Sequence, residues 1–256
     1  MNELVLLRPK LLRLKLSGIL ETIEERIRQA SEEKWSYSQF LLTLFSDEVD
    51  RRECTQLGRR VTRSGLDPAK TLETFDFTFN PKIHEPTIRQ LGTGDYIEKN
   101  ACVFFLGPSG VGKSHLAQAL GHEACRRGYD VIFKRTSSLL LWIASGEGDG
   151  TRDRRLNQIM KIPLLILDDF GLKTISEAMQ EDLYEIICER YEKKTTIITS
   201  NRDFNEWTGI FSNSLMASAA MDRLVHHAIK IEIEGKSYRL NDFVETTKEL
   251  TMRQKN

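Results

Sequence analysis

The run Gly107-Pro108-Ser109-Gly110-Val111-Gly112-Lys113-Ser114 has the spacing G-x-x-x-x-G-K-[ST]. That spacing suits a chain of phosphates. Glycines let the loop fold tightly, so successive backbone N–H groups converge on phosphate oxygens. A helix following Lys113 adds its positive N-terminal end. Lys113 is expected on the β- and γ-phosphates and Ser114 on Mg²⁺. His115 completes the binding run at the start of that helix. The ligands implied are ATP and Mg²⁺.

Two further polar groups stand at the ends of apolar runs. Leu164-Leu165-Ile166-Leu167 leads into Asp168-Asp169, and 196–199 leads into Ser200-Asn201. In open α/β sheets, ligands lie beyond the carboxyl ends of strands. Asp168 is therefore expected to hold the Mg²⁺ shell, with Asp169 orienting or deprotonating the attacking water. Asn201 is expected to position that water or touch the γ-phosphate.

These residues need elements to position them. Short apolar runs at 101–106, 131–133, 164–167 and 196–199 alternate with helical stretches, one beginning at Lys113 and another covering 176–191. Strands alternating with helices predict an α/β fold with a doubly wound parallel sheet. Residues 1–66 read differently. Pro9 is placed to open a helix, and Leu12, Leu16, Ile19, Leu20, Ile23, Ile27 and Ala30 form a helical stripe that Gly18 interrupts. A second helix fits 37–52, with Phe40, Leu41, Leu44, Phe45 and Val49 on one side, and a third carries Leu57 and Val61. The expected domains are a small all-α unit, 1–66, for assembly or docking on DNA or a partner, and an ATPase domain, 67–256.

Composition narrows the class. Apolar residues at 40% and charged residues at 29% exclude global disorder. Lys+Arg and Asp+Glu both total 37, so net charge identifies no partner. The four cysteines are scattered, with no CxxC and no zinc spacing, and fit a reducing, cytoplasmic setting. No signal peptide or membrane span is visible.

The order of phosphate loop, acidic strand end and polar strand end resembles a P-loop AAA+ module. Phe75-Asp76-Phe77, GPSGVGKSHLAQAL, LLILDDFG, TTIITSN, Asp222-Arg223-Leu224 and Ser237-Tyr238-Arg239 resemble the IstB family, helper ATPases of insertion sequences related to the helicase loader DnaC. The leading LRLKLSGILETIEE and GLDPAKTLETFDF resemble it too, so the likeness spans nearly the whole chain. It implies an ATPase that assembles as a homo-oligomer on duplex DNA and delivers that DNA to a partner transposase. It implies that Arg223 reaches a neighbour's γ-phosphate and that Arg239 acts within its own subunit as a second sensor. Two departures stand out. The second acid is commonly Glu and here is Asp169, which slows hydrolysis or shifts the water contact. With 17 residues after Arg239, a full helical lid does not fit. A DnaC-like helicase loader and a nucleotide-gated DNA clamp with little turnover remain alternatives.

For DNA, the basic residues Lys134 and Arg135, and Arg152, Arg154 and Arg155, are expected to contact phosphates, as is the cluster Arg51, Arg52, Arg59, Arg60 and Arg63. No helix-turn-helix or zinc signature is present, so largely sequence-tolerant backbone binding is expected. Trp35, Trp142 and Trp207 read as packing residues. His226 and His227, being adjacent, are expected to point to different sides and carry no chemistry.

Overall fold

The computed structural model describes residues 3–240; the last stretch of the expected ATPase domain, 241–256, lies outside the described residues. The chain divides into two compact units between Arg59 and Arg60.

The first unit is built from α1 (Glu3–Arg13), α2 (Ser17–Glu32) and most of α3 (Tyr37–Ser64). The apolar stripe is shared between two helices, because Lys15 adopts a left-handed φ of 56° and the chain turns there. Pro9 stands inside α1 instead of opening a helix; its side chain is exposed, where solvent can take up the carbonyl it leaves unpaired. The two helices expected over 37–64 are one continuous α3. Leu11, Ile19, Ile23 and Leu44 form the core, with Phe40 packed against it. Leu41, Phe45 and Val49 remain exposed.

Gly18 explains how α2 approaches α3. A Cβ there would lie 2.8 Å from both the Asp47 carbonyl oxygen and Glu48 Cα, so only glycine permits the contact. The buried Glu48 carboxylate then accepts from the N–H groups of Gly18 (2.6 Å) and Ile19 (3.3 Å) and from Arg52 Nε (2.7 Å). It thereby caps the N-terminus of α2 from another helix. Burial pushes the Glu48 pKa up, but Arg52 and the two N–H groups together pull harder, and the net shift is downward. Glu48→Ala should therefore cost about 2–3 kcal/mol in thermal or denaturant unfolding of the full chain. The sign follows from the depressed pKa. The contribution is complete above the ordinary carboxylate range and fades as pH falls through the folded value.

The second unit continues through α4 (Glu85–Leu91), α5 (Asp95–Glu98), β1 (Val103–Leu106), α6 (Lys113–Arg126), β2 (Val131–Arg135), α7 (Thr136–Ala144), α8 (Arg152–Lys161), β3 (Leu164–Asp168), α9 (Glu177–Arg190), β4 (Thr195–Ser200), α10 (Phe204–Trp207), α11 (Ser214–Val225) and β5 (Ile229–Glu232). The strands form one parallel sheet in the order β2-β3-β4-β1-β5. This is the P-loop AAA+ fold, preceded by a helical region. The central strands β1, β3 and β4 are buried along their whole lengths. β5 is absent from the sequence expectation because it is a four-residue edge strand with half-buried and exposed positions alternating. Trp207 is fully buried against Phe104, Phe170 and Phe204, in the packing role expected of it. Among the described residues, no helix is long and apolar enough to cross a membrane.

Candidate nucleotide-binding site

Parallel pairing brings the carboxyl ends of the strands to one edge. Leu106 is level with Ser200, and Arg135 is level with Asp168. The loop after β1 and the acids at the end of β3 therefore share a cavity of about 580 Å³.

Gly107 leaves β1 with φ 143°, and a Cβ on it would fall 2.0 Å from the Ile233 carbonyl oxygen. No other residue fits beside the chain that follows β5. That chain returns to the loop, where Tyr238 N–H donates to the Gly110 carbonyl at 2.9 Å. Ser109, Gly110, Val111, Gly112, Lys113, Ser114 and His115 line the cavity; Gly107 and Pro108 form the turn that enters it. Lys113 Nζ donates to the carbonyls of Gly107 (2.7 Å) and Pro108 (2.6 Å), which holds its ammonium over the loop. Burial pushes the Lys113 pKa down, Asp169 and Asp168 draw it up, Arg239 pushes it down, and the net direction is downward.

Asp168 is buried, and its Oδ1 accepts the Thr199 hydroxyl proton at 2.5 Å. The same hydroxyl accepts the Asp169 N–H at 3.2 Å. Thr199, which the sequence reading passed over in favour of Asn201, is thus the β4 residue that touches both acids. Asn201 is exposed and outside the cavity lining. Its neighbour Ser200 is buried and bonds the Phe170 carbonyl. Asp169 has a left-handed φ of 54°, and its carboxylate lies 3.7 Å from Arg135 Nε.

One face of α6 secures the opposite wall. His115 Nε2 meets the Thr71 carbonyl (3.0 Å), Gln118 Oε1 accepts from Asp67 N–H (2.9 Å), and His122 Nε2 meets the Asp67 carbonyl (2.9 Å). Burial holds the His115 pKa below its ordinary value despite the Thr71 contact. Phe75, Phe79 and Tyr238 add an aromatic border, with Phe79 and Tyr238 edge-to-face at 4.9 Å. Arg239 also lines the cavity. Arg223 does not. It lies on α11, where its guanidinium donates to the Ala219 carbonyl (2.8 Å) and sits 6.0 Å from the Tyr184 ring centroid.

The model of the IstB-like ATP binding protein family matches residues 9–246. The chain belongs to this family. An insertion-sequence ATP-binding protein of Mycobacterium tuberculosis is 40% identical over 234 residues, 91% of this chain and 93% of that one. The ATP-binding protein of insertion sequence IS5376 from Geobacillus stearothermophilus is 35% identical, covering 90% and 92%. Among solved structures, AMPPCP-bound DnaA from Aquifex aeolicus is 27% identical with a TM-score of 0.55, over 73% of this chain and 57% of that chain. A DnaC helicase loader, at 24% identity and a TM-score of 0.52, covers 58% and 87% and shares the fold. This IstB-like chain is therefore a P-loop AAA+ ATPase akin to the insertion-sequence ATP-binding proteins.

The basic residues divide by what they touch. Arg152 is ion-paired with the buried Asp182, and Arg155 bonds the Trp142 carbonyl, Ser145 and Asp149. Both tie α8 to its neighbours. Lys134 lies 5.5 Å from the Trp142 ring centroid, and Arg154 is exposed on α8. Arg51 and Arg52 pair with Glu21 and Glu48, and Arg60 faces Asp130.

Proposed function

We propose that this chain hydrolyses ATP at a cleft completed by a second copy, and uses that cycle to hold DNA for a partner transposase. The observation that carries the reading is the separation of Arg223 from its own cleft, while Lys113, Ser114, Asp168 and Asp169 share one. The names of the insertion-sequence relatives support transposition as the setting.

The loop N–H groups and Lys113 bind the phosphates. The Ser114 hydroxyl and the free oxygen of Asp168 form the hard oxygen donor set that Mg²⁺ takes. Bound there, the ion would neutralise charge on the β- and γ-phosphates. Asp169 orients a water in line with the γ-phosphorus and accepts its proton as the new P–O bond forms and ADP departs. Thr199 fixes the spacing of the two acids, and Arg239 adds positive charge within the same subunit. A neighbour's Arg223 stabilises the charge on the transferring group.

Thr199→Val should lower Mg²⁺-dependent turnover roughly 10–100-fold, the scale for losing a group that orients a metal ligand. ATP binding measured in EDTA should stay as in the parent. Equal loss in EDTA would assign Thr199 to the fold.

DNA binding should weaken steeply with salt. Arg154→Ala should reduce the slope of log K against log salt by about 1 without changing stability. Arg152→Ala should instead lower the unfolding temperature, because it strands the buried Asp182 carboxylate. The partner is tested by capture. The full chain with ATP and duplex DNA should retain the transposase of its own insertion sequence; retention of a replicative helicase alone would favour the loader reading.

A further inference from the structure

His226 and His227 do not diverge. His227 takes a left-handed φ of 58°, and the two imidazole rings lie side by side with centroids 3.8 Å apart. Glu192, also left-handed at 56°, brings its Oε1 to 3.6 Å from His226 Nδ1. The three side chains each offer a ligand atom, and these atoms lie within 4.8 Å of one another. Such backbone conformations are disfavoured for non-glycine residues and persist where the surroundings impose them. Here two of them turn three donors toward one point.

The geometry points to a surface site for a zinc-class divalent cation, held by Glu192, His226 and His227. Two imidazoles and one carboxylate suit zinc and ill suit Mg²⁺. A tetrahedral zinc ion with bonds of about 2.1 Å sets its ligands roughly 3.4 Å apart. The His226–Glu192 pair is already near that spacing, and the exposed His227 side chain is free to rotate the remainder. Binding through His226 Nδ1 would displace the Tyr191 hydroxyl, now 2.7 Å away. The site joins the C-terminal ends of α9 and α11, whose last carbonyls favour a cation. Both helices lead into the amino ends of β4 and β5, so this is the edge of the sheet opposite the nucleotide cleft. An ion there would staple the two helices one turn from Arg223.

The test is a zinc titration of the chelator-treated full chain in excess Mg²⁺, read by calorimetry. The parent should bind one zinc per chain. His226→Ala and His227→Ala should each weaken binding at least 10-fold, and zinc should raise the unfolding temperature of the parent but not of the double variant. The metal-free variants should unfold with the parent, since all three side chains are exposed. Zinc uptake by the double variant with unchanged affinity and stoichiometry would overturn the site, as would no uptake by the parent.

Discussion

Lys113→Ala is expected to lose ATP binding, and with it every nucleotide-dependent activity. The ammonium stands over the phosphate loop, on a buried side chain that lines the same cavity as Asp168 and Asp169. The contacts proposed for it with the β- and γ-phosphates would be charge-assisted at both ends. Two such bonds are worth about 3–6 kcal/mol, which corresponds to a rise in Kd of roughly 10²-fold or more. Lys113 also bonds the Gly107 and Pro108 carbonyls, so the unfolding temperature must be followed alongside. Loss of binding with an unchanged unfolding temperature assigns the effect to the ligand. ATP binding as tight as in the parent would refute the phosphate-loop assignment.

Arg223→Ala is expected to do the reverse: ATP stays bound and hydrolysis falls. The groups proposed to bind nucleotide, Lys113, Ser114 and Asp168, line the cavity, and Arg223 does not. A guanidinium inserted beside a transferring phosphoryl group contributes about 10³–10⁵ to the rate. The same variant should largely keep its stability, because the side chain is half-exposed and its contacts are to the Ala219 carbonyl of its own helix and to Tyr184 on α9. Turnover in steady state and ATP affinity by calorimetry separate these effects. A drop in affinity matching the drop in turnover would return Arg223 to a role within its own fold.

What was legible in the sequence is what depends on contiguous residues. The phosphate loop and the Asp168–Asp169 strand end carry their chemistry in unbroken runs, and parallel topology then forces them to one edge. Contacts between distant segments were not legible. Thr199 reads as a β-branched strand residue until β4 is set beside β3, where its hydroxyl donates to the Asp168 carboxylate and accepts the Asp169 backbone N–H. Arg152 and Arg155 read as a basic surface, yet Asp182 and the Trp142 carbonyl claim them across other helices. The break between α1 and α2 rests on one left-handed residue, Lys15, that the helical stripe conceals. The adjacent histidines reverse their expected divergence for the same reason, a backbone angle at His227 that no propensity predicts.

The shared cleft is tested most directly by mixing the two variants argued above. Lys113→Ala chains still offer Arg223, and Arg223→Ala chains still offer a complete nucleotide pocket. Neither alone should hydrolyse ATP. Combined, and shown to co-assemble by light scattering or crosslinking, they should regain a measurable fraction of the parent rate, because a mixed interface holds one complete site. A co-assembled mixture that remains inactive would contradict the account and place Arg223 in the service of its own subunit.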